Sequence, residues 1–174
     1  GMLADDSLGF DEMLPAIVAL VDAALEELVA TRQREGDKLA DMIRERVARM
    51  RELVAQAAPR MPAVVVEYQE RLTAKLRDAV ASLDEDRIRQ EVALYAQRID
   101  VDEELTRLST HLDEVERILK SAGAAGKRLD FLMQELNREA NTLASKSPAT
   151  DITAIAMEMK VLIEQMREQV QNLE

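Results

Sequence analysis

Leu14, Ile17, Val21, Leu25 and Leu28 step along the chain by three and four. The same phase runs on through Arg32 and Glu35 to Leu39, Ile43, Val47, Met50, Val54 and Ala57. Apolar positions at this spacing share one side of an α-helix. The phase survives Gly36, so the pattern predicts one long helix over about 11–57, with Asp11 as its cap and Pro15 in its first turns. A helix of that length finds few neighbours unless it packs in a coiled-coil-like pair. Residues 2–10 read as a loose lead-in, and Gly1 ahead of Met2 reads as a tag scar.

Pro59-Arg60-Met61-Pro62 then predicts a tight reversal, because each proline lacks a donor and restricts the residue before it. A second helix is expected over about 63–82, with Val65, Tyr68, Leu72, Leu76 and Ala79 as its stripe. Leu83-Asp84-Glu85-Asp86 is a short connection rich in capping carboxylates. Ile88, Val92, Tyr95 and Ile99 continue in helical phase, but Val101, Leu105, Leu108, Leu112, Val115 and Leu119 start a new one. The phase break predicts a kink or restart near Asp100–Asp102, with Asp102 as N-cap. Ser121 to Gly126 is a connector. After it come a helix over about 127–145 and a last one over about 151–172, capped by Thr150 or Asp151, with Ile155, Met159, Leu162, Met166 and Val170 inward. Only Val64-Val65-Val66 hints at strand. The expected fold is all-α, an elongated bundle of long antiparallel helices forming a single helical domain over 11–174.

Composition sharpens this reading. The 174 residues are 47% apolar and 33% charged but only 2% aromatic, with nine Met, no Trp and no Cys. That profile suits an aliphatic helical core with Met as filler. Lack of Cys excludes disulfides, thiolate zinc sites and a Cys nucleophile, and together with the absence of a leader or membrane-length apolar run it points to the cytoplasm. The net charge of −11 is uneven. Residues 1–30 carry seven acids and no base, whereas 31–61 carry eight bases against five acids. Any polyanion partner must therefore use local clusters of Arg and Lys.

The stretch Gly126–Ser147 organises the rest. Leu129, Leu132, Leu136, Ala140 and Leu143 form its apolar side, while Lys127, Asp130, Gln134, Asn137, Arg138 and Asn141 fall on the other. Amides are poor fillers for a merely solvated helix face, so this one reads as a contact surface. The run GKRLDFLMQELNREANTLASKS, with the ending from Glu164 to Glu174, closely resembles the C-terminal signature of the bacterial YicC/YloC family. That resemblance implies a metal-dependent endoribonuclease that assembles as ring-like homo-oligomers, with RNA and not DNA as substrate and other RNA-degradation proteins as further partners. It also implies that family members carry an additional N-terminal α+β domain outside this chain. The alternative is a helical oligomerisation or partner-binding module of an RNA-turnover protein, with no catalysis of its own.

Asp100, Glu104, Arg107 and His111 are spaced four, three and four, so a helix aligns them, with Glu103 also facing Arg107. Carboxylates beside the chain's single His suit Mn²⁺ or Mg²⁺, giving Asp100, Glu103, Glu104 and His111 as candidate ligands. Glu104, Arg107 and His111 become the candidate catalytic set. The same spacing also makes an ordinary ion-pair ladder, Glu103–Arg107–His111. The stretch QRIDVDEELTRLSTH, too, resembles a block of the family. In the organising helix, Lys127, Arg128, Arg138 and Lys146 are expected to hold phosphates, and Gln134, Asn137 and Asn141 to meet sugar or base edges. Asp130, Glu135 and Glu139 would add a metal ligand or join a polar network between helices. Arg32 and Glu35 interrupt an apolar stripe and are expected to pair with each other, while Lys160, Glu164, Arg167 and Gln171 form a wet face on the last helix.

Overall fold

The computed structural model describes residues 10–79, 84–121 and 125–171. Within them the chain is all-α: α1 (Phe10–Ala79), α2 (Glu85–Arg98), α3 (Asp102–Lys120), α4 (Gly126–Lys146) and α5 (Thr150–Gln171), with no strand among the described residues. The lead-in at 2–9, the connection at 80–83, the connector at 122–124 and the tail at 172–174 lie outside them, so those expectations meet no observation. The chain divides into two compact units, Gly1–Asp41 and Met42–Glu174.

The expected reversal at Pro59 and Pro62 is corrected: α1 runs straight through both. An interior proline costs a helix about 3 kcal/mol, through a lost hydrogen bond and a ring clash. Here both rings sit on exposed positions, while Ala57, Met61 and Val64 are buried on the opposite side. Burial of each larger side chain is worth roughly 2 kcal/mol, enough to hold the axis. Arg60 adds a tie across the interruption, donating to both Glu67 oxygens at 2.9 and 3.2 Å and to Asp151 Oδ2 at 2.9 Å.

In the first unit, helix α1 continues across Gly36, as its phase predicts, and a Cβ there would meet nothing within 4 Å. Leu14, Ile17, Val21, Leu25 and Leu28 are all exposed. Arg32 and Glu35 are exposed as well, and no ion pair joins them among the described residues. Their neighbours bond instead: Gln33 donates to Asp37 and Arg34 to Thr31. A charged pair on a solvated face has no burial penalty to force it together.

In the second unit, α4 packs closely on both α3 and α5. It can do so because Leu129, Leu132, Met133, Leu136, Ala140 and Leu143 cover a broad apolar arc, all of them buried. Long arginines tie α1 to the other two: Arg49 to Glu158 at 2.7 Å, Arg46 to Gln165 at 3.1 Å and Arg51 to Asp113 at 2.6 Å. As the numbers rise on α1 they fall on α5, so these helices run antiparallel.

The apolar stripes shift slightly from expectation. Helix α5 buries Ile152, Ala156, Met159, Ile163, Met166 and Val170, with Ile155 and Leu162 only half-buried. Leu53 replaces Val54 in α1, and Ile118 replaces Leu119 in α3. Each change moves the buried arc by one residue, which neighbours on two sides select and spacing alone does not. The break at Ile99–Val101 is present, but Val101 and not Asp102 stands at the N-cap of α3, with no side-chain cap bond, and the Asp100 carboxylate just before it accepts from the Asp102 N–H at 3.0 Å. No helix among the described residues is long and apolar enough to cross a membrane.

The Arg60 tie makes stability pH-dependent. Its guanidinium holds the Glu67 and Asp151 carboxyls below their usual range. Carboxyls depressed by folding stabilise fully above their unfolded values near pH 4, and that contribution disappears as pH falls through the folded ones. The melting-temperature gap between wild type and Arg60→Gln is therefore expected to be widest at neutral pH and to close below about pH 4. A gap of constant size down to acid pH would contradict it.

Candidate functional site

Helices α3 and α4 run antiparallel, and one edge of their contact is a line of charged pairs. At one end Lys146 Nζ donates to Glu104 Oε1 at 2.8 Å and to the Asp100 carbonyl at 3.1 Å. In the middle Arg107 donates to the buried Glu139 at 3.3 Å and to the exposed Glu103 at 2.6 Å. At the far end Arg128 reaches Glu114 at 3.3 Å, and Arg117 holds both oxygens of Glu114 at 2.6 Å. Residue numbers rise on α3 as they fall on α4, so each turn of one helix is matched to a turn of the other.

His111 falls in the middle of this line. One ligand atom from each of His111, Glu135 and Glu139 lies within 4.8 Å of the other two. The two glutamates are four residues apart on α4 and therefore one above the other, facing α3. Glu139 is only 3% exposed, which fixes its carboxylate, whereas His111 and Glu135 are half-buried and open on one side. An imidazole nitrogen with two carboxylates is a donor set suited to a hard or borderline divalent cation such as Mn²⁺. Glu139 and then Glu103 hold the Arg107 guanidinium above its ordinary pKa, so a positive charge stands beside the trio.

The structure groups the residues expected as ligands differently. His111 stands in the trio, but with Glu135 and Glu139 of the neighbouring helix, not with Asp100, Glu103 and Glu104 of its own. Asp100 accepts from the Asp102 N–H in the turn that opens α3, and Glu103 holds Arg107. Glu104 is buried and pairs with Lys146, and its second oxygen has no hydrogen-bond partner. A buried carboxylate with one good cationic partner is an anchor between helices, costly to leave alone. Lys146 is committed there and not to the surface. Spacing on α3 alone could not find Glu135 and Glu139 as partners of His111; the antiparallel register with α4 does.

The polar residues of α4 separate into two groups. Asp130 accepts from Gln134 at 2.8 Å and lies 3.7 Å from Arg167 of α5, which also approaches Glu164 at 3.9 Å. Lys127, Gln134, Arg138 and Asn141 are exposed along one side, with Arg128 exposed and Asn137 half-buried beside them. Phe131 lies within that exposed row and not with the leucines.

The sequence model of a family described as endoribonuclease YicC-like, C-terminal, matches residues 57–174. A probable endoribonuclease YicC of Haemophilus influenzae is 49% identical over 174 residues, covering 100% of this chain and 61% of the relative. A probable endoribonuclease YicC of Clostridioides difficile is 36% identical over 157 residues, covering 88% of this chain and 54% of the relative. The chain spans less than two thirds of the length of these curated relatives.

Proposed function

Because this chain belongs to the YicC-like endoribonuclease family, we propose that it supplies the cation-holding and RNA-facing part of a metal-dependent hydrolase of RNA phosphodiester bonds. The observation that carries this reading is the meeting of His111, Glu135 and Glu139 across two helices beside an arginine. A divalent cation held there would lower the pKa of a coordinated water and offset charge building on the phosphate. Glu139, buried and braced by Arg107, sets the position of the donor set. Arg107 is itself half exposed, so its guanidinium is a positive group facing the solvent where a phosphate arrives. Lys127, Arg128 and Arg138 supply local positive charge on an acidic chain, and Gln134, Asn137 and Asn141 offer donors and acceptors to sugar and base edges. Cleavage of RNA by the full-length protein, with and without a chelator and with the trio altered, tests the proposal. Cleavage that survives chelation would overturn the metal dependence.

A second reading, self-association through the first unit, is favoured by a separate observation. Among the described residues, ten of the sixteen exposed large hydrophobics lie between Phe10 and Val29. Exposed apolar surface concentrated this way marks an interaction face. The charges fit a second copy in antiparallel orientation: a crossing near residue 30 would set Asp22 opposite Lys38 and Glu26 opposite Arg34. Val21→Glu combined with Leu25→Glu is expected to lower the sedimenting mass of the chain without loss of helicity. An unchanged mass would remove this face as the contact.

A further inference from the structure

Phe131 is out of place on a helix that hides every other large apolar residue it carries. Helix α4 buries Leu129, Leu132, Met133, Leu136 and Leu143, yet Phe131 is 59% exposed. Leaving such a ring in water forgoes the stabilisation that burial of an aromatic side chain gives. The ring is flanked at the helical spacings of four, three and seven by Lys127, Gln134 and Arg138, all exposed. Among the described residues neither Lys127 nor Arg138 has an ion-pair partner. Of the carboxylates nearby, Asp130 is engaged with Gln134 and Arg167, and Glu135 lies on the side of the trio, near His111 and Glu139.

An aromatic face between two unpaired cations matches a ligand that presents a flat π-surface and a negative charge a short distance apart. A nucleotide has both. Duplex RNA does not offer them together, because its bases are stacked on one another and its grooves present edges and backbone. Phe131 also stands one helical turn before Glu135, with Cβ atoms about 6 Å apart, and helical side chains lean toward the N-terminus, away from the trio. A base on the ring would leave its backbone near the trio.

Resting on the endoribonuclease reading above, we propose that Phe131 is a stacking platform for an unpaired base, selecting single-stranded RNA and seating the nucleotide beside the bond to be cut. Gln134, one turn along, faces the edge of that base, while Lys127 and Arg138 hold phosphates on either side.

The chain contains no Trp, so Phe131→Trp introduces a single reporter at the platform itself. In chelator, so that the cation site plays no part, single-stranded oligoadenylate is expected to quench this emission. The same strand annealed to oligouridylate is expected to leave it unchanged. Phe131→Ala and Phe131→Leu should each weaken binding of the single strand by roughly tenfold or more, because stacking needs the ring and not merely apolar bulk. Val161→Ala, an exposed apolar change on α5, should leave binding as it is. Leu binding as well as Phe, unchanged emission on adding single strands, or no binding of single strands by the wild-type chain would each overturn the proposal. So would a Phe131→Ala variant that binds RNA normally but sediments at lower mass, which would make the ring a contact between protein copies. Loss of cleavage in trio variants with quenching intact would leave the platform standing, and cleavage retained without quenching would sink the platform alone.

Discussion

Glu139→Gln and His111→Ala are each expected to lower metal-dependent RNA cleavage by the full-length protein roughly a hundredfold or more, with helicity retained. Both substitutions remove a donor from the only grouping of His and acidic side chains that converges within 4.8 Å among the described residues. Glutamine at 139 keeps the shape and still accepts from Arg107, so the loss reports on charge and coordination, not on packing. Outer groups that orient ligands cost about tenfold to a hundredfold in metal affinity when removed. Glu103→Gln, which frees the far side of Arg107, should therefore fall at the low end of that range. Asp100→Asn and Glu104→Gln act on the turn that opens α3 and on an interhelical anchor, and should change stability more than cation affinity. Full cleavage by folded Glu139→Gln and His111→Ala proteins would dismantle the site.

The largest loss of stability is expected from Leu136→Ala. Leu136 has no exposed surface and lies in the middle of α4, the helix that packs on both α3 and α5. Removing its branched end takes away buried methyl groups and leaves a cavity that helices fixed on two sides fill poorly. Such changes cost about 3 kcal/mol, or on the order of 10 °C in melting temperature for a unit of this size. Gln134→Ala, two residues away on the exposed row, should change stability by less than about 0.5 kcal/mol. Calorimetry on the two variants measures the contrast, and equal losses would mean that α4 does not pack as described.

Much of the fold is legible in the chain. Leu129, Leu132, Leu136, Ala140 and Leu143 announce α4 and its inward side, and the phase break at Ile99–Val101 announces the start of α3. The prolines at 59 and 62 mislead because a local rule about lost hydrogen bonds takes no account of what the opposite side of the helix buries. The candidate site is only half legible. His111, Glu135 and Glu139 all stand out as chemistry-bearing residues, but spacing along one helix groups His111 with Glu104, two turns away on its own strip. Phe131 falls in phase with Lys127, Gln134 and Arg138 and not with the leucines, but only the structure shows how far its ring stands in solvent.

The sequence by itself determined that this chain is helical, where its helices turn their apolar sides, and which polar residues are unusual. Periodicity fixes those properties because a helix is a local object, with hydrogen bonds that never reach beyond four residues. Only the tertiary structure decided which polar residues meet. The antiparallel register of α3 and α4 gives Glu104 to Lys146 and His111 to Glu135 and Glu139, and that register comes from the fit of the buried surfaces of two separate helices, which no spacing within either helix encodes.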